Sequence, residues 1–209
     1  MAVISNGTTI ADAGAFSASL GSMVLIKTLT ASSSGTLSFV HGSSSVVLDS
    51  TYPIYKFEFI NCHPATDQQS FQFNGSTDTG SNYNVAKTTT FFYAYNRGSD
   101  SATSFSYDGN RDLAQGTGFQ PLTFNSNIDN YSSMSGSLMI FNPSSTTFVK
   151  HFISTTNDDA QTSGEQGLSQ VCHAAGYFNT TSAVDAIRFQ YSSGNIDAGT
   201  VKLYGIKDS

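Results

Sequence analysis

Ala186-Ile-Arg-Phe-Gln-Tyr-Ser-Ser-Gly-Asn-Ile-Asp-Ala-Gly-Thr-Val-Lys-Leu-Tyr-Gly-Ile206 contains two runs in which apolar and polar residues alternate. In the first, Ile187, Phe189 and Tyr191 point one way and Arg188, Gln190 and Ser192 the other. In the second, Val201 and Leu203 stand against Thr200, Lys202 and Tyr204. Successive side chains on a strand face opposite sides, so each run reads as a half-buried strand. Ser192 to Gly199 between them holds two Gly, Asn195 and Asp197, residues that tolerate a connecting turn, and Ile196 is expected to tuck this loop inward. The stretch predicts a hairpin. A lone hairpin is marginal in water, so other strands must extend its sheet and a second sheet must cover its apolar face.

Turn signals recur along the rest of the chain. Strands are predicted at Met23 to Thr30, Thr36 to Val40, Val46 to Leu48, Ile54 to Cys62 and Phe71 to Phe73, with Asn74-Gly75 as a hairpin dipeptide. Further strands are expected at Thr88 to Tyr95, Gly136 to Phe141, Thr147 to Thr155 and Val171 to Phe178. Asn96 to Tyr131 reads as one long irregular region, and residues 157–167 as a polar acidic loop. About ten strands with no amphipathic helix predict an all-β fold, an antiparallel β-sandwich with jelly-roll wiring. Residues 1–20 show no sustained period and read as an N-terminal arm or short leading strands. Residues 21–209 form the sandwich domain. Val3, Ile4, Ile10 and Phe16 are the arm's expected attachment residues.

Composition narrows the function classes. Charged residues make up 11 %, while 16 Phe and 10 Tyr supply core volume, so the chain is ordered with an uncharged polar surface. Net charge is −6, and nine scattered Lys and Arg make no basic patch for nucleic acid. No apolar run reaches the ~20 residues of a membrane span. The N-terminus shows no basic region followed by an apolar one, which predicts a protein made in a cytoplasm that stays there, or leaves by lysis or within an assembly.

Motifs for chemistry are sparse. Cys62 and Cys172 lie on unrelated segments, each before a histidine, and neighbours on a strand diverge, so two buried reduced thiols are expected rather than a zinc site or a disulfide. Asp108-Gly-Asn-Arg-Asp112 resembles the start of a calcium loop, but Leu113 and Phe119 stand where an EF-hand needs Gly and Glu. His151 shares a strand face with Val149 and Ile153 and reads as a core or sheet-face histidine rather than a general base. The chain has two Glu, Glu58 and Glu165, and no arrangement of acids that predicts a glycosidase pair. No nucleophile elbow, phosphate loop or dinucleotide fingerprint occurs. The expectation is a protein without catalytic activity, metal or cofactor. Tyr93, Tyr95 and Tyr107 are the candidates for stacking on a glycan.

Four segments resemble structural proteins of tailed bacteriophages, notably marine and cyanobacterial ones. They are Tyr55-Lys-Phe-Glu-Phe-Ile-Asn-Cys-His-Pro-Ala-Thr-Asp67, Gly136 to Phe152, Gly176 to Phe189 and Ser192 to Ile206. The similarity runs over residues 21–207. It implies a virion component, an external fibre, spike or decoration subunit assembled inside the host cytoplasm and released by lysis. Phage appendages often have three-fold symmetry, so the resemblance implies a homotrimer. The arm is then expected to contact other virion proteins. Carbohydrate recognition of a host surface glycan, or less plausibly polysaccharide depolymerisation, are the alternatives.

Overall fold

The computed structural model describes residues 22–162 and 165–207, together with the backbone of three short strands before them. Those three are β1 (Val3–Ser5), β2 (Thr8–Asp12) and β3 (Ala15–Phe16), a small antiparallel sheet in that order. The attachment role expected of Val3, Ile4, Ile10 and Phe16 rests on side chains that lie outside the described residues.

The remaining strands are β4 (Met23–Thr30), β5 (Leu37–Val40), β6 (Ile54–Pro64), β7 (Phe71–Ser76), β8 (Lys87–Arg97), β9 (Thr103–Tyr107), β10 (Gln120–Pro121), β11 (Met134–Phe141), β12 (Lys150–Thr162), β13 (Glu165–Phe178), β14 (Ala186–Tyr191) and β15 (Ile196–Ile206). They build two antiparallel sheets packed as a sandwich. The smaller has the order β10-β7-β14-β5, and the larger β4-β15-β6-β11-β12-β13-β8-β9. The chain passes between the sheets at most of its connections, which is consistent with a jelly roll.

Aromatic side chains from both sheets fill the space between them. Phe189 of β14 lies within 6.4 Å, centroid to centroid, of the rings of Phe39, Phe57, Phe59, Phe71 and Phe73. Phe73 in turn packs on Phe152 and Phe178. Most of these pairs meet edge to face, the arrangement the ring quadrupole favours. Ile187, Phe189, Val201, Leu203 and Ile196 are buried, as the alternation predicts.

The pairing differs from expectation. The 186–206 stretch is not a hairpin: β14 pairs with β5 and β7, while β15 pairs with β4 and β6 in the other sheet. The two runs share one core from opposite walls. Alternation tells a strand which face is inside, not which strand lies beside it. Asn74-Gly75 is likewise no turn. It continues β7, with Asn74 buried and Gly75 held so close to Phe178 and Val184 that a Cβ would sit 2.8 Å from the Phe178 ring. Val46 and Leu48 are core residues on an irregular segment rather than a strand. Residues 157–162 and 165–167 belong to β12 and β13 rather than to a loop, and the long irregular region contains β9 and β10.

Candidate interaction surface

In the larger sheet β8 and β9 are the last two strands at one edge. Register fixes which of their side chains share a face. Phe92 pairs with Tyr107 and with His173, and Ala94 pairs with Phe105, so these residues project together from the outer side. Phe105 is 74 % exposed and Tyr107 53 %. Phe92 joins them, its ring 5.6 Å from Phe105 and stacked 4.9 Å from His173. Thr155 Oγ1 lies 3.0 Å from His173 Nδ1 and orients that ring. The result is an aromatic ridge open to solvent along the edge strand.

The same face continues across β13 and β12. His151, Ile153, Ala175, Tyr177 and Thr90 border a shallow depression of about 480 Å³. Ile153 is 47 % exposed, and the rings of His151 and Tyr177 lie 5.9 Å apart. Ala175 is small, which leaves the floor of the depression low. Of the two placements its spacing allows, core or sheet face, His151 takes the sheet face.

The predicted tyrosines do not form one site. Tyr93 and Tyr95 are neighbours on the inner face of β8, their rings stacked 6.3 Å apart. Tyr93 also packs 4.9 Å from Phe124 of the long loop, whose ring carries the Arg111 guanidinium at 3.7 Å. Tyr107 projects from the opposite face, and its hydroxyl donates to Asp112 Oδ2. In the calcium-like loop Asp108 is held by Arg111 at 2.9 Å and by the Asn110 N–H at 2.9 Å, so these carboxylates have protein partners. Reading residue types without the register could not separate the two faces, and it passed over Phe105, whose alternation with Ser104 and Ser106 was the available signal.

A polar cleft of about 470 Å³ lies elsewhere, lined by Asn61, His63, Asn130, Tyr131, Ser132 and Asp197. His63 Nε2 faces the carbonyls of Ile128 and Asp129 at 3.3 Å, and its Nδ1 is 3.9 Å from Asp197. Ser132 Oγ donates to Asp159 rather than to this histidine. Asp197 Oδ1 accepts from Ser33 Oγ at 2.9 Å.

The interior holds ionisable groups. Asp158 is fully buried, and burial pushes its carboxyl up to about 7. Its Oδ2 accepts from Ser126 Oγ at 3.3 Å, while no donor among the described residues reaches its Oδ1 or the Oε1 of Gln170, its partner across the β12–β13 register. Cys62 and Cys172 are free and buried, and burial raises both thiols, that of Cys62 to about 12. Strands β11 and β12 separate them, and strands lie ~4.8 Å apart, too wide a gap for a disulfide.

No protein family, curated protein or solved structure matches this chain.

Proposed function

We propose that this chain is a non-enzymatic structural subunit of a bacteriophage particle, an external appendage or decoration that acts through surface contact. The observation that carries this reading is the uncovered aromatic ridge of Phe92, Phe105, Tyr107 and His173. Isolated exposed apolar residues are ordinary, but a contiguous rimmed patch marks a contact surface. A rigid two-sheet scaffold with an aromatic core suits a load-bearing particle component, and the resemblance of residues 21–207 to phage structural proteins points the same way. In this reading the subunit is a homotrimer in the virion, and the arm of residues 1–20 joins it to other virion proteins.

The test is a comparison of purified particles with and without the gene product by electron microscopy and peptide mass spectrometry. The reading expects the chain's peptides in washed particles and a missing external feature in the deletion. Particles that lack the peptides and keep every feature overturn it.

A glycan-binding role for the same subunit is favoured by one further observation. Tyr131 is 71 % exposed beside the amides and carboxylate of the Asn61–His63–Asp197 cleft, and an aromatic face next to polar groups is what a sugar ring packs against. Binding of host surface polysaccharide that is lost in Tyr131→Ala would support it; equal binding by both proteins would remove it.

A further inference from the structure

Lys87, at the start of β8, and Asn74, on β7, meet in a sealed polar contact between the two sheets. Both side chains are fully buried. Lys87 Nζ donates to Asn74 Oδ1 at 2.6 Å and to the Val85 carbonyl at 2.8 Å, and sits 5.7 Å from the centroid of the Phe178 ring. The surroundings fix how the amide is turned. Its Nδ2 donates to the carbonyls of Tyr83, Thr117 and Gly118 at 2.7, 2.9 and 3.3 Å, whereas Oδ1 also accepts from the Gly75 N–H at 2.8 Å.

This geometry favours a neutral amine. An ammonium carries three N–H donors and a neutral amine two, and Nζ has two acceptors in reach. Burial is what lowers the proton affinity of Lys87, to about 7, with no carboxylate among the described residues to oppose it. A desolvated neutral lysine is a nucleophile. With a C=O bond of ~1.23 Å and a hydrogen-bond angle near ~120°, Nζ stands roughly 3.4 Å from Asn74 Cγ, within near-attack range. The Gly75 N–H already points at Oδ1, where negative charge would develop on attack.

We propose that Lys87 and Asn74 condense into an intramolecular isopeptide bond that joins the two sheets covalently. Nζ swings from the edge of the amide to its face, and its lone pair forms the Nζ–Cγ bond. The Cγ–Nδ2 bond then breaks. Nδ2 leaves as ammonia, taking one proton from Nζ. The products are a secondary amide and one ammonia, and no oxidant or co-reactant is needed. The link would give this chain what its two distant cysteines cannot, a covalent tie across the sandwich. It would also remove an ionisable group from the interior.

The test is peptide mapping of the full chain after a week at a pH one unit above the Lys87 value. Trypsin should no longer cut after Lys87, and the peptide spanning 57–97 should be lighter by one ammonia. A second cut before Asp78 should leave its two pieces joined. Asn74→Ala should restore an ordinary peptide ending at Lys87, and Lys87→Arg should restore cleavage at that position. A wild-type peptide ending at Lys87 with full mass overturns the proposal. So does a loss of one ammonia with pieces that separate after the second cut, which would mean a succinimide at Asn74-Gly75.

Discussion

Phe189 touches five other aromatic rings from both sheets, so its side chain joins most of the core into one cluster. Phe189→Ala should cost about 3–5 kcal/mol in denaturant unfolding, through lost burial and the cavity left behind. A cost under ~1 kcal/mol would mean that the rings close over the gap. The burial of Phe189 is legible in its alternation with Arg188 and Gln190. That of Asp158 is not, because an aspartate in a polar run reads as surface until the segment carrying Ser126 is placed against it. Its titration gives a signed prediction. The folded carboxyl titrates near 7, above its ordinary 3.8, so the folded state favours the protonated form. Relative stability is therefore greatest below pH ~4 and declines as pH rises through ~7, by an upper limit of roughly 4 kcal/mol. Ser126, Gln170, Cys172, Asp159 and Arg111 surround the group, and Arg111 is already paired with Asp108. Asp158→Asn should flatten this slope and stabilise the protein most above pH ~7, since an amide does not ionise and can donate to Gln170 Oε1. Parallel thermal melts of both proteins across that range are the check. Identical pH profiles would show that Asp158 does not titrate in the folded state.

At the scale of elements, the inward sides of the strands were readable and their partners were not. β14 and β15 each show clean alternation, yet they belong to opposite sheets. β12 and β13 extend into residues read as a loop because Asp158 is an inward position there, and with Thr156 and Gln170 just outside that stretch it erases the apolar period. Gly199 marks a place where backbone geometry rather than pattern sets the residue. It has φ +118° between register shifts of β15 against β6, and a Cβ there would lie 2.6 Å from the Cys62 Cα. Gly199→Ala should destabilise by about 1–3 kcal/mol in the same unfolding assay, through backbone strain and the forced retreat of β6. No change would mean that the bulge can re-register. Cys62 borders this contact, and two strands separate it from Cys172. Thiol titration of the denatured chain without reductant should give two free thiols. None, with a mass gain of two hydrogens on reduction, would demand a different strand order.

On the scale of the whole molecule, the aromatic ridge lies on the outer face of the larger sheet, the side turned away from the smaller one. The abundance of Phe and Tyr is visible in the sequence, but which of them lie outside the core is not, since that depends on the pairing that assigns each strand its two faces. The ridge sits on β9, which ends the larger sheet and has one edge without a neighbouring strand in this sheet. Such edges are prone to pairing with another chain. If the ridge makes the subunit's contacts, removing its most exposed ring should separate assembly from folding. Phe105 is 74 % exposed and its ring meets Phe92 at 5.6 Å, so Phe105→Ser forfeits little packing. Its unfolding free energy should change by less than about 1 kcal/mol, as surface substitutions do. Its sedimentation should shift from the trimer expected of the wild type toward the 22.2 kDa monomer, and its incorporation into particles should fall. Unchanged sedimentation and incorporation in a stably folded Phe105→Ser protein would move the contact surface off this face, leaving the Tyr131 cleft and the residue 1–20 arm as the places to look.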